Sequence, residues 1–518
     1  MPRAATGAGS FLKGAICMAG IPENPTPVLD NELKRALGPL HLIALGIGAI
    51  IGAGIFVLTG HAAAGYAGSG VVISFAIAGT GCLFAGLCYA EYAAMIPVAG
   101  SAYTYTYATM GRFLAWIIGW NLVLEYLAAG STVAVGWSSY FSDFMAKQIH
   151  MPIATAFSTA PVCVVGNPLP CPQLDASHAF LHEFFLSGAY FNLPAVLLVA
   201  LVTFVLIVGV NMSANFNNLM VAIKLCIVLL VIFVCFSHVV PANHVPFIPA
   251  NTGTFGHFGW TGIFRATGVI FFAYIGFDAV SVAAQEARNP QRDVPLGILG
   301  SLLICTVLYM LMSWVLTGIA PYQTLNVAHP VSQAVEALTG PGGTAWLAPY
   351  VNLGAIVGLA SVVLVLLLGQ SRIFYAMAKD GMIPPIFAEV HPRFKTPWRG
   401  SLITGVFCAL LAGVLPIDIL GELVSIGTLA AFVIVCAGIM VLRVQRPKVK
   451  RPFRTPFVWF VGPAGIVMCL FMMVFLPEDT WIRLGVWTVI GLIIYLAYSI
   501  RHAQPPRWKL VDEPPPAE

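Results

Sequence analysis

The stretch LIALGIGAIIGAGIFVLTG, residues 42–60, is apolar enough to cross a membrane, yet it carries Gly46, Gly48, Gly52 and Gly54 at its centre. Gly48 and Gly52 alone form a small-xxx-small pair that suits close helix packing. Packing does not call for Gly52-Ala53-Gly54 beside them. A Gly-x-Gly in mid-span lets the backbone leave the helix and expose its N–H groups. Unwound backbone at membrane depth is tolerated only where protein or a cavity satisfies it. A second stretch, GVIFFAYIGFDAVSVAAQEARNP (268–290), is interrupted near its middle by Gly276 and Asp278. It lies five spans after the first. Five is odd, so a repeat of five spans must be inverted relative to its partner. Interrupted spans at matching positions of two halves point to the binding site of a transporter.

The rest of the chain agrees with a membrane setting. Its 518 residues are 59% hydrophobic and 9% charged, with a mean hydropathy of +0.88. Soluble domains are about 25% charged, so an ordinary multidomain enzyme is excluded. With 25 basic and 21 acidic residues there is no basic surface for nucleic acid. Apolar spans are expected at about 40–66, 71–96, 112–141, 192–211, 217–239, 260–286, 296–320, 346–377, 401–416, 418–442, 456–476 and 481–500. The division between the ninth and tenth rests on little more than Pro416–Ile417. The expected fold is an all-α polytopic membrane protein of twelve transmembrane helices. Spans 1–5 and 6–10 form two inverted five-helix repeats, spans 1 and 6 are discontinuous, and two extra helices follow. The transport core covers 39–442, and 443–500 holds a cytoplasmic loop and spans 11–12. Residues 1–38 and 501–518 are cytoplasmic ends. No signal peptide is read before the first span, and NELKRALGP (31–39) reads as a short in-plane amphipathic helix.

Charge position sets the orientation. With the N-terminus inside and the spans alternating, 20 of the 25 Lys and Arg fall in cytoplasmic segments and Lys147 is the lone one in an outside loop. That asymmetry obeys the positive-inside rule and would vanish if one span were lost. The expected location is the bacterial inner (plasma) membrane with both termini cytoplasmic. The outside loop at 142–191 is proline-rich and carries Cys163 and Cys171, which share an oxidising face and either pair or stay free.

The chemistry of the breaks follows from helix ends. A half-helix N-terminus carries about +0.5 charge and free N–H donors, which suit a carboxylate. A half-helix C-terminus offers carbonyls, which suit an ammonium. One break of each kind, face to face, would hold a zwitterionic amino acid.

Five segments carry a resemblance: GIGAIIGAGIF (46–56), PVAGSAYTYTYATMGRFLAWIIGWNLVLEY (97–126), FFAYIGFDAV (271–280), EARNPQRDVPLGI (286–298) and GQSRIFYAMAKDGMIP (369–384). In this order, over about residues 30–500, the chain resembles the cationic amino acid transporter branch of the amino acid–polyamine–organocation superfamily, above all its bacterial members. The resemblance implies that the backbone of Ile51, Gly52, Ala53 and Gly54 meets the substrate carboxylate. It implies that the carbonyls of Phe272, Ala273 and Ile275 meet the amino group. The Phe272 ring would close over the substrate, and Tyr274 belongs to the same unwound stretch. Packing alone is the competing account of the glycines, and a plain core role that of Phe272.

Charged residues inside spans are costly, at least about 2.5–3.5 kcal/mol each, and are functional candidates by default. Lys224, in NNLMVAIKLCIVLL (217–230), either snorkels to the nearby cytoplasmic edge or carries a coupling proton. In proton-coupled relatives a lysine of span 5 sits where sodium-coupled relatives hold an ion, so the resemblance implies an ammonium near the carbonyls around Gly48 and Ala49, with Ser361 of span 8 as a partner. Glu125 in span 3 reads as a proton relay, a counter-charge to Lys224 or a structural anchor. Asp278 reads as an N-cap of the second half of span 6. Glu91 and Glu286 read as interface or gate residues, His61 as a hydrogen-bonded packing residue, and Glu422 has no assigned role.

No catalytic set, metal-ligand spacing or nucleotide-binding loop appears, so no cofactor or metal is expected and the chain is not read as an enzyme. The function expected is proton-coupled symport of an L-amino acid by alternating access across the lipid bilayer. An exchanger of the same fold is the alternative, and a membrane-embedded enzyme or receptor a remote third. Backbone recognition leaves the side chain open. The branch implies cationic substrates, but no acidic residue is securely in the side-chain pocket, which Leu359 and Ala360 are expected to help line, and this favours small neutral ones such as alanine. A small membrane partner or an oligomer is not legible in the sequence.

Overall fold

A computed structural model of the chain describes residues 37–96, 101–164, 184–186, 188–209, 214–282, 284, 287–338 and 343–504. Residues 31–36 of the in-plane helix expected over 31–39 lie outside these residues, as do Glu286, Cys171 and the side chain of Cys163.

Among the described residues, eight helical stretches are long and apolar enough to cross a membrane, and four shorter apolar helices accompany them. One long stretch, Gly54–Met95, contains both the second half of span 1 and the whole of span 2. The twelve spans therefore begin with an interrupted span 1 (Pro39–Ile50, then Gly54–Leu58 continuing through Ala67). Span 2 is Val71–Met95, span 3 Arg112–Lys147, span 4 Leu193–Val208 and span 5 Ala214–Phe236. Span 6 runs from Gly259–Ile270 through the tight turn Phe271–Tyr274 to the short helix Ala279–Val282. Spans 7 to 10 are Pro290–Ile319, Ala348–Lys379, Trp398–Val414 and Ile417–Gln445. Spans 11 and 12 are Val458–Val474 and Glu478–Ile494, the latter extended to His502. Spans 9 and 10 are indeed separate, divided at Leu415–Pro416.

Two features lie outside the helical pattern of the sequence. A helix, Ser101–Met110, occupies the connection between spans 2 and 3. In the long loop before span 4, Val162–Val164 pairs antiparallel with Phe184–Leu186.

Burial sorts the spans. In span 6, 89% of the apolar stretch is buried, against 17% in span 12, so span 6 is central and span 12 peripheral. The exposed apolar side chains, such as Phe204, Phe233, Leu303, Trp459 and Ile493, belong to the outer spans. In water this surface would be an aggregation liability; in lipid it is the solvated face. Span 3 packs on spans 8 and 10, and span 7 on spans 1 and 2.

The two breaks meet. Ile51 leaves the helix with φ −71° and ψ 96°. Ile275 is extended at ψ 139°, and Gly276 follows at φ +113°, a backbone setting that only glycine adopts without strain. A Cβ at Gly276 would stand 2.9 Å from the carbonyl of Ala49. A Cβ at Gly54 would collide with Cα and Cβ of Ala273. The glycines thus allow two unwound backbones to touch, which neither helix could do with larger residues.

Charged side chains fasten the periphery. Glu91 of span 2 is fully buried and accepts from Arg443 Nε at 2.9 Å and Nη2 at 2.7 Å, and from the backbone N–H of Thr455 at 2.8 Å. Arg451 adds an ion pair at 3.2 Å. Glu91 therefore ties span 2 to span 10 and the following loop. Glu422 accepts from Thr480 at 2.9 Å and Arg483 at 3.1 Å, which joins span 10 to span 12.

Candidate functional site

The first half of span 1 ends with free carbonyls in a dry interior, and each needs a donor. Lys224 supplies one. Its Nζ donates to Gly48 O at 2.6 Å and to Ile51 O at 3.3 Å, and the residue has no exposed surface. A positive group at a helix C-terminus also meets the favourable end of the helix dipole. The lysine stem lies along span 8, where a Cβ at Gly358 would approach its Cγ to 3.1 Å. Ser361 sits on the same stretch of span 8, but its hydroxyl donates to Gly358 O at 2.8 Å.

Tyr309 of span 7 serves one more carbonyl of this break and one of the other. Its hydroxyl lies 2.8 Å from Ile50 O and 2.9 Å from Ala273 O. It therefore bridges the two breaks, and with one proton it donates to one carbonyl at a time. The sequence reading did not single out Tyr309. A tyrosine in an apolar helix carries no local mark of such a role.

Between the breaks is a small cavity of about 10 Å³, close to the least volume that holds one water. Gly52, Ala53, Phe272 and Ile275 line it, together with Ala49 and Ile50. Of the other expected site residues, Ile51 gives its carbonyl to Lys224, Ala273 gives its own to Tyr309, and Gly54 packs on Ala273. Tyr274 points away, its hydroxyl donating to Phe75 O at 2.8 Å. The remaining wall is Ala129 and Val133 of span 3 with Val362 and Leu366 of span 8. Leu359 and Ala360, expected there, do not line it; the face used is one turn further along span 8. Each of these wall pairs has i, i+4 spacing, which puts both members on one helical stripe. The wall carries no charged side chain.

Glu125 and Asp278 belong to a separate polar cluster. Asp278 accepts from Tyr126 at 2.5 Å and from Ser101 at 3.3 Å, and Ser101 in turn bonds Tyr89. The carboxylate thus ties span 6 to span 3 and to helix 101–110, while its backbone carbonyl accepts from Ser281 N at 2.8 Å. Glu125 is 1% exposed, and neither carboxyl oxygen has a hydrogen-bond partner among the described residues.

Two unwound segments thus face each other across a small apolar-walled cavity. Residues 37–496 match the family model described as Amino acid permease. The chain belongs to the amino acid permease family. It is therefore a multi-pass membrane transporter and not an enzyme. The permease is 44% identical over 477 residues to the Branched-chain amino acid permease BcaP of Bacillus subtilis (strain 168), covering 92% of this chain and 95% of that one. Over 475 residues it is 42% identical to the Methylthioribose transporter of the same organism, with the same coverage. The Cationic amino acid transporter 4, vacuolar, of Arabidopsis thaliana is 36% identical over 426 residues, which span 80% of the permease and 64% of the plant protein.

Proposed function

We propose that this permease is a proton-coupled symporter of L-amino acids with neutral, apolar side chains, working by alternating access in a bacterial inner membrane with both termini cytoplasmic. The observation that carries the substrate class is the wall of Ala129, Val133, Val362 and Leu366. A cationic side chain there would lose its hydration without meeting a counter-charge, a cost of several kcal/mol. An alkyl side chain gains about 0.8 kcal/mol per buried methylene. The similarity to a branched-chain amino acid permease supports the same reading.

Proton coupling is supported by Lys224, a titratable group held on the carbonyls of the span 1 break. Moving those carbonyls changes the cost of its charge, so protonation and the state of the break are linked. The substrate carboxylate belongs at the N-terminal end of the half-helix beginning at Gly54, and the amino group at the carbonyls of the span 6 turn. The orientation rests on the 20 basic residues at the face of the chain ends.

The test is uptake into liposomes holding the purified protein, with an inward proton gradient imposed. Radiolabelled L-leucine and L-alanine should accumulate, and an uncoupler should abolish accumulation. Uptake that requires amino acid preloaded inside and ignores the proton gradient would establish exchange instead. Accumulation of L-arginine and L-lysine alone would overturn the substrate class.

A further inference from the structure

A second cavity, of about 340 Å³, lies on the far side of the bundle from the chain ends. Tyr107, just before span 3, donates to Gln504 O near the C-terminal end, and span 3 runs from there to Asp143 on the wall of this cavity. The lining also holds His329, whose Nε2 lies 3.3 Å from Asp143 Oδ1. On span 1, Ala53 lines the central cavity and Val57, one turn further on, lines this outer one. The two cavities therefore follow one another along the same pair of helices.

Ala129, Val133, Gly136, Tyr140 and Asp143 of span 3 recur every three or four residues, so they lie on one stripe. The first two line the central cavity and Asp143 lines the outer one. Gly136 stands between them and is buried. A Cβ there would stand 3.2 Å from Val57 Cγ2, 3.4 Å from Ala53 Cβ and 3.7 Å from Ile417 Cδ1. Span 1 and the start of span 10 thus close on bare backbone at the level that separates the cavities. One turn beyond, the fully buried Tyr140 hydroxyl donates to Phe56 O at 2.7 Å. That bond joins span 3 to the second half of span 1, at the residue directly before Val57. Elsewhere on span 3, a Cβ at Gly130 would stand 3.3 Å from Cys408 Sγ of span 9 and 3.8 Å from Leu367 Cδ2 of span 8. Gly130 is as tightly placed as Gly136, but against other spans.

We infer that Gly136 is the seat on which the outer door of the substrate site closes, with Tyr140 as its latch and the turn Ala53–Val57 as the moving leaf. It rests on the alternating-access reading above. An amino acid that passes from the outer cavity to the centre must part Ala53 and Val57 from Gly136. Only the closed state brings these side chains onto the glycine, so only that state is crowded by a methyl group there. Val57 is β-branched and stiff about χ1, so its methyl group cannot turn aside cheaply. The bond from Tyr140 to Phe56 O likewise belongs to the closed state. Gly136→Ala and Tyr140→Phe therefore bias one equilibrium in the same direction by different means. The first crowds the closed state and the second removes a bond from it.

The test is the rate at which a thiol introduced into the central cavity by Val362→Cys is modified from outside intact cells. The reagent is a charged methanethiosulfonate that does not cross membranes. Each rate is taken over the same chain with Val362 in place, so that the native cysteines cancel. Gly136→Ala and Tyr140→Phe should each raise the rate about fivefold or more. Gly130→Ala, equally crowded but away from span 1, should leave it unchanged. Tyr140→Phe adds no bulk, so it carries the test alone if Gly136→Ala does not assemble. Unchanged rates in both variants overturn the door and leave the transport reading intact. An equal rise in Gly130→Ala overturns the door as well, because crowding anywhere on span 3 would then suffice. If the introduced thiol in the otherwise wild-type chain reacts as fast as an unhindered one, alternating access itself is overturned and the door with it.

Discussion

Lys224 Nζ donates to Gly48 O at 2.6 Å across 176 residues of sequence, and so caps the first half of a broken span with an ammonium group. Lys224→Ala would leave the Gly48 and Ile51 carbonyls unpaired in a dry interior, at about 1–3 kcal/mol each. Uptake of L-leucine in liposomes is expected to fall at least about tenfold. The flux that remains should ignore an imposed proton gradient. Uptake by Lys224→Ala that kept the full response to that gradient would remove the lysine from coupling.

The contact of Gly54 with Ala273 is a backbone contact, and backbone cannot swing aside as a flexible side chain can. Gly54→Ala is expected to cost about 1–3 kcal/mol through overpacking and to abolish uptake, because the two breaks are pushed apart. Gly65, on the same half of span 1, has none of the described residues within 4 Å of where its Cβ would be. Gly65→Ala should leave stability within about 0.5 kcal/mol of wild type and uptake unchanged. Melting curves and uptake on the two variants side by side check both statements. Equal loss in both would mean that the span tolerates no methyl group anywhere, and the contact would lose its special standing.

What the sequence could and could not reveal follows from range. Spans are local: each is a run of apolar residues, so their number and edges are read within a few residues. The breaks at Gly52–Gly54 and Gly276 are also local, because glycine marks backbone freedom directly. Lys224 stands out because charge is expensive in its setting. Tyr309 joins Ile50 and Ala273 through one hydroxyl, at separations of 259 and 36 residues, and no local pattern marks it. The pocket wall is similar. Leu359 and Leu366 are both buried leucines of one span, but Leu366 faces the cavity and Leu359 does not. Seven residues apart, the two share nearly one helical face, so the difference is depth, about 10 Å along the axis of span 8, and it is set by where span 8 packs on span 3 rather than by its own sequence.

The apolar wall gives a graded prediction for selectivity. One methylene in an apolar pocket discriminates by about 1–3 kcal/mol, or 10–200-fold. Ala129→Leu narrows the cavity and should exclude L-leucine while retaining L-alanine. Leu366→Ala widens it and should shift preference from L-alanine toward larger side chains such as L-phenylalanine. Competition of each unlabelled amino acid against labelled uptake measures the shift. Parallel competition profiles in wild type and both variants would place the side-chain pocket elsewhere.

The loop histidine makes stability depend on acid in a stated direction. His329 is neutral in the folded chain because burial depresses its pKa, while the unfolded histidine titrates near its ordinary value of about 6.5. Above that value neither state takes up the proton, and His329 has no effect on the slope. As pH falls below it, the unfolded state binds the proton first, so folding loses stability progressively until the folded pKa is also passed. His329→Gln removes this titration and keeps a polar group beside Asp143. The melting temperature of wild type should therefore fall more steeply than that of His329→Gln between about pH 6.5 and 5, with parallel curves at pH 7 and above. Curves that stay parallel through the acid range would show that His329 takes up its proton as readily folded as unfolded.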